Sequence, residues 1–155
     1  MHRAVTPLAL LALAAPASVA APVQGNSLGA AKAMVDAIYA ALPAERFDWR
    51  AQRFTPELKA LIEREARESD GEIGLFEAVP FCDCQDTAKR YAATSVVRST
   101  GPRTAAVTVS LVNGAPRRFS LDLELLPDGC AIADVHGPDI PSLAGLLRKH
   151  FAAPR

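Results

Sequence analysis

The hexapeptide Phe81-Cys82-Asp83-Cys84-Gln85-Asp86 is the part of this 155-residue chain where side-chain types and spacing come nearest to chemistry. Two thiols separated by one residue can close a tight bridge on each other, or either can pair with Cys130, the third and last cysteine. All three cannot pair within one copy of the chain. Cys82–Cys84, a bridge from the box to Cys130, and free thiols all remain open. A zinc site needs about four nitrogen, sulfur or oxygen ligands. Three cysteines and distant histidines do not supply them, so no metal is expected. Thiol catalysis is disfavoured too, because the spacing is Cys-x-Cys in a loop and not Cys-x-x-Cys opening a helix.

A second set comprises Asp83, Gln85, Asp86, Asp134, His136 and Asp139. If the box folds over the end of the strand that carries Asp134 and His136, carboxylates and an imidazole converge, which is an acid–base arrangement. Each group also has a plainer role. Asp86 precedes a strand and Asp139 a helix, where carboxylates cap, and Gln85 can satisfy loop backbone groups. Asp134 and His136 are two apart and share a strand face. There is no Gly-x-Ser-x-Gly elbow and no glycine-rich phosphate loop. The expectation is therefore no catalytic residue and no cofactor, with Asp83, Gln85, Asp86, Asp134 and His136 as candidate binding residues.

The elements that must position these groups follow from periodicity. Leu28, Ala31, Val35, Ile38 and Leu42 recur at helical spacing and stop at Pro43. Glu45 to Phe54 reads as a loop pinned by Phe47, Trp49 and Phe54. Thr55-Pro56-Glu57 opens a second helix with a capping hydroxyl, a proline at the first position and an acid at the positive end of the dipole. It runs to about Ser69, with Leu58, Leu61 and Ile62 inward and paired charges outward. Asp70 to Asp86 is irregular.

The period then changes to two. Strands are expected over Tyr91–Thr100, Arg103–Val112, a stretch from Arg118 to Leu125, and Cys130–His136. Gly101-Pro102, Asn113-Gly114 and Asp128-Gly129 turn the chain between them. A last short helix covers about Ser142–Phe151. Helices followed by strands predict an α+β fold: two N-terminal helices packed on a curved antiparallel four-stranded meander, cone-like, with a short C-terminal helix.

Residues 1–20 carry a short cationic start, an apolar run from Leu8 to Ala15, and small residues at Ser18-Val19-Ala20. That is the layout of a secretory signal cleaved after Ala20. The run is too short to span a bilayer, which takes roughly 20 apolar residues. No cysteine lies at the cleavage site to receive a lipid. The predicted organisation is signal peptide 1–20, disordered lead-in 21–27 and one domain over 28–151, exported to the periplasm or secreted, with no membrane span after cleavage. Seventeen basic against seventeen acidic residues argue against nucleic acid as a partner.

Four segments carry a family resemblance: Phe54-Thr55-Pro56-Glu57-Leu58, the box Phe81 to Asp86, Ala105-Ala106-Val107-Thr108-Val109, and Ala131-Ile132-Ala133-Asp134-Val135. Together they resemble a family of small exported bacterial proteins, a domain of unknown function with lipoprotein members of the cell envelope, over about residues 29–148. The chain departs from that pattern at Cys130, where a tryptophan is expected. The resemblance implies a ketosteroid isomerase-like, nuclear transport factor-like cone fold and supplies no activity. The functional expectation is a non-enzymatic envelope module that binds a small ligand or a protein partner, an inhibitor or immunity-type protein being one form. The alternative is a cone-fold isomerase, dehydratase or hydrolase using Asp/His acid–base groups.

Overall fold

A computed structural model of the chain describes residues 26–44, 47–69, 74–85, 91–113 and 115–153. The expected signal peptide, most of the lead-in, Asp86 and Gly114 lie outside the described residues. Helix α1 covers Asn26–Ala41, α2 Pro56–Glu68 and α3 Leu143–Ala152, and strands β1 Ala92–Gly101, β2 Thr104–Asn113, β3 Ala115–Leu126 and β4 Gly129–His136 make one sheet in the order β1-β2-β3-β4. Every neighbouring pair is antiparallel. The fold is α+β, as the change of period predicts. Among the described residues no helix is long and apolar enough to cross a membrane.

α1 begins two residues before Leu28 and buries Ala31, Val35, Ile38 and Tyr39, and Leu42 is buried just past its end. These side chains meet the apolar face of the sheet, where Val107, Val109, Leu121, Ile132 and Val135 are fully buried. Fully burying one such side chain stabilises by about 1.5–3 kcal/mol, so this layer supplies most of the driving force. Asp122 and Glu124 alternate with Leu121, Leu123 and Leu125 onto the opposite face.

α2 starts as its residues dictate: the Thr55 hydroxyl accepts from the Leu58 N–H, and Pro56 takes the first helical position. It packs on α3 and β4, and Arg148 ties the two helices by pairing with Glu57 at 2.6 Å. Glu65 sits on the same helix but is buried, because its carboxylate accepts from the Leu75 N–H at 2.8 Å and pairs with Arg50 at 3.3 Å. Trp49 lies in a 3-10 turn and packs edge-on against Phe54 and Phe76.

The segment leading into α2 also closes one edge of the sheet. Thr55 N–H donates to Ile132 O, and Ile132 N–H to Arg53 O, both at 2.8 Å. The register of β4 against β3 shifts here, leaving Ala133 as an extra residue between Leu123↔Ile132 and Asp122↔Asp134. That bulge turns both Ile132 and Val135 inward although they are three residues apart.

Candidate functional site

The box is held from two sides. Tyr39 of α1 donates its hydroxyl to Phe81 O at 2.9 Å, and Arg117 of β3 donates one guanidinium nitrogen to Cys82 O at 3.3 Å and Asp83 O at 3.0 Å. Three consecutive carbonyls thus have donors from separate elements. Of the open cysteine pairings, the structure contains Cys82–Cys84, with Cα atoms 5.1 Å apart. The bridge from the box to Cys130 is not formed. Cys130 is a buried free thiol whose Sγ lies 3.2 Å from Met34 Sδ. The reason is placement: Cys130 is the second residue of β4, whereas the box packs beside Gly137, past the other end of that strand. A Cβ on Gly137 would come within 2.8 Å of the Phe119 ring and 3.1 Å of Asp83 Oδ2, so this close approach needs glycine.

Asp83 occupies the left-handed region at φ 48°, uncommon for a residue with a side chain. Its Oδ2 accepts from the Asp139 N–H at 3.4 Å, and its Oδ1 is buried without a partner among the described residues. Burial, assisted by the nearby Asp139 charge, pushes this carboxyl above the usual range against the opposing pull of the Asp139 N–H and Arg117. Gln85 is exposed, and Asp86 falls outside the described residues.

Asp134 and His136 belong to a second group, joined by Asp122. Asp134 Oδ1 accepts from the Val135 N–H at 2.8 Å and the Ala144 N–H at 2.9 Å, while Oδ2 accepts from the Ser142 hydroxyl at 2.5 Å. Ser142 in turn accepts from the Gly145 N–H at 2.8 Å. These bonds fasten the first turn of α3 to β4. The capping role expected for Asp139 therefore passes to Ser142 and Asp134, because the loop carries Asp139 back to the box instead.

His136 Nδ1 lies 2.6 Å from Pro141 O, and Nε2 lies 2.9 Å from Asp122 Oδ2. Both neighbours can only accept, so the ring best fits this setting with a proton on each nitrogen. Burial alone pulls the imidazole pKa down, but the Pro141 carbonyl and the carboxylates of Asp122 and Asp134 together raise it above the ordinary value. In that doubly protonated form both nitrogens donate and neither offers a lone pair. Asp122 was not singled out from the sequence, since only the bulge brings it opposite Asp134.

Two concave features of ligand dimensions are found among the described residues: one of about 650 Å³ beside Arg103, Thr104, Asp122 and Glu124, and one between α1 and β1. On the apolar face, β1 contributes Ala93, Ser95, Val97 and Ser99 opposite Leu111, Val109, Val107 and Ala105. These residues are too small to fill the space beneath the helix. A cleft of about 560 Å³ remains, within the size range of small-molecule sites. Tyr39, Ala40, Tyr91, Ala93 and Val109 form much of its wall. At the rim, Asp36 accepts from Lys32 at 2.6 Å and from the Ser95 hydroxyl. These two donors hold the Asp36 carboxyl below its usual range. The sequence signal for this site is the run of mostly small inward residues in β1, Ala93, Ser95, Val97 and Ser99, beside Val, Leu, Ile and Phe at most inward positions of the next three strands. Among the described residues, no group of three or more His, Cys, Asp or Glu could hold a metal ion.

No protein-family model matches the chain, and no curated protein matches it. A solved structure similar to it is that of a phospholipid-binding protein from Ralstonia solanacearum in complex with a phospholipid, 15% identical, covering 81% of this chain and 85% of that one, with a TM-score of 0.48.

Proposed function

We propose that the chain is an exported, non-enzymatic binding module of the envelope, and that the cleft between α1 and β1 is its seat. The observation that carries this reading is the cleft itself: a concavity of small-molecule size in which Tyr39, Ala40, Tyr91, Ala93 and Val109 stand beside Lys32, Asp36, Thr94 and Ser95, so that apolar and hydrogen-bonding surface face the same space. Export rests on the three-part layout of residues 1–20. The enzymatic alternative loses support because Asp134 anchors α3 and His136 has both nitrogens engaged. Asp83, Gln85 and Asp86 remain candidate contacts for a partner at the box, apart from the seat.

Titration of the processed protein with octanoate, octylamine and octyl glucoside, followed by amide NMR shifts, tests the seat. Shifts concentrated at Ala40, Ala93, Thr94 and Ser95, and lost in Ala93→Trp, are the expected result. Shifts centred on Asp122 and His136 would overturn it. Mass spectrometry of the exported fraction should find a chain starting at Ala21, and an intact Met1 there would refute the export reading.

A further inference from the structure

We propose that the loop of residues 137–141 is a pH-gated clasp on the box: an imidazolium at His136 holds the loop closed against Asp83, and loss of its proton lets the loop open. This loop joins β4 to α3. The Gly137 N–H donates to Ile140 O at 2.8 Å, which closes the turn on itself. Ile140 is buried in the core, whereas Pro138, Asp139 and Pro141 are exposed. Two hydrogen bonds among the described residues fix this exposed part, one on each side. Pro141 O lies 2.6 Å from His136 Nδ1, and the Asp139 N–H donates to Asp83 Oδ2 at 3.4 Å.

The His136 ring sits between acceptors. Pro141 O faces Nδ1, Asp122 Oδ2 of β3 faces Nε2 at 2.9 Å, and Asp134 Oδ2 of β4 lies 3.8 Å from the same nitrogen. The first turn of α3 presents the Ser142 hydroxyl, which is donated to Asp134. A ring with two protons satisfies both of its neighbours, but a neutral ring has one proton and turns a lone pair on the other acceptor. The two carboxylates keep that proton on Nε2, so the lone pair falls on Nδ1, against Pro141 O. Attraction becomes repulsion at the bond that closes the loop. The side chain is 33% exposed, so the proton passes to water without unfolding.

The other side of the loop supplies the opposing tendency. Asp83 holds φ at 48°, and the loop packs so close that a Cβ on Gly137 would come within 3.1 Å of Asp83 Oδ2. With the loop closed, Asp83 Oδ1 is buried without a partner among the described residues, and the Asp139 charge stands near it. Arg117 directs its guanidinium to the carbonyls of Cys82 and Asp83, and Tyr39 its hydroxyl to Phe81 O. Hydration of Oδ1 and separation of the two carboxylates therefore favour opening. The His136 imidazolium offsets both, so two opposed tendencies meet on one short loop, as a switch requires.

Burial pulls the imidazole pKa down, but the Pro141 carbonyl and the carboxylates of Asp122 and Asp134 outweigh it and hold the value above the ordinary one of about 6.5. The clasp is therefore closed below that raised value and opens as pH climbs through it. Opening frees the Asp83 carboxylate and the Asp139 amide. Asp83, a candidate contact of the box, is thus withdrawn in the acid form and presented in the alkaline one.

NMR of the processed protein from about pH 5.5 to about pH 9 tests the clasp, with the His136 ring and the backbone amides followed together. The Gly137, Asp139 and Ile140 amide shifts should titrate with the midpoint of the ring. Their protection factors against hydrogen exchange, which allow for the intrinsic pH dependence, should fall on the order of tenfold across it. His136→Arg keeps a permanent cation with several donors and should show no step over this range. His136→Gln should show low protection in the loop at every pH. Loop amides that do not follow the ring in the native protein would overturn the proposal, and so would a step that survives in His136→Arg. Protection in His136→Gln equal to that of the native acid form would overturn it too. An equal fall in protection at Val107 and Leu121 would show global unfolding in place of a local opening, and would refute the clasp.

Discussion

Replacing Asp134 by alanine separates a structural carboxylate from a functional one. The side chain accepts hydrogen bonds from Val135, Ser142 and Ala144, and Ala144 is only 3% exposed. Without the carboxylate, the Ala144 N–H is stranded in the interior, which costs about 1–3 kcal/mol. Losing a helix cap costs about 0.5–2 kcal/mol, but the two effects overlap because they concern the same turn. The expected loss is about 2–3 kcal/mol. For a domain of this size that lowers the melting temperature by about 8–12 °C, at roughly 4 °C per kcal/mol.

Urea unfolding gives the free energy, and hydrogen exchange at Ala144 and Gly145 should locate the loss in the first turn of α3. Asp134→Asn keeps one acceptor oxygen and should lose about half as much. Ser142→Ala combined with Asp134→Ala should lose less than the sum of the two, because these side chains bond each other. A change below about 0.5 kcal/mol for Asp134→Ala, the range of an ordinary surface substitution, would refute the reasoning. Damage from asparagine equal to that from alanine would refute it too.

Leu121→Ala, at a fully buried position, should cost about 2–5 kcal/mol in denaturant unfolding. Glu124→Ala, on the other face and paired with Arg103 at 3.7 Å, should stay within about 0.5 kcal/mol. Against the effect of burial, His136 has a folded pKa raised above the ordinary imidazole value of about 6.5 by the Pro141 carbonyl and the Asp122 and Asp134 carboxylates. Its stabilisation is therefore complete below that value and is lost as pH rises through the folded pKa. Unfolding free energy should decline across that window in the native protein, and more weakly in His136→Gln. Cys84→Ala should lower stability by only about 1.5 kcal/mol, because a bridge between residues two apart removes little unfolded-chain entropy. A loss well above that in thermal unfolding would show that the box depends on the bridge for its packing.

Much of the architecture was legible in the chain because it is locally encoded. Thr55-Pro56 sets the start of α2 through a hydroxyl and a fixed φ, and both act within one turn. The alternation of Leu121, Leu123 and Leu125 with Asp122 and Glu124 assigns the faces of β3, since a strand's side chains alternate whatever lies around it. The helical spacing from Ala31 to Leu42 likewise marks the face of α1 that meets the sheet.

The candidate site was less legible, because its parts come from distant segments. Glu65 looks like one more solvated charge on α2 until Leu75 N–H and Arg50 close over it. The cysteine pairing depended on which end of β4 the box would reach, and spacing along the chain does not contain that distance. The clearest case is β4 itself. An unbroken ladder from Leu126↔Gly129 would set Asp122 opposite Ala133 and turn Asp134 and His136 toward the core. The extra residue at Ala133 reverses the alternation, placing Asp134 opposite Asp122 and Val135 inside. Composition and period establish that a strand is there. The face it shows after the bulge is fixed by tertiary bonds, since Ile132 turns its N–H and C=O to Arg53 and Thr55, a segment nearly eighty residues earlier.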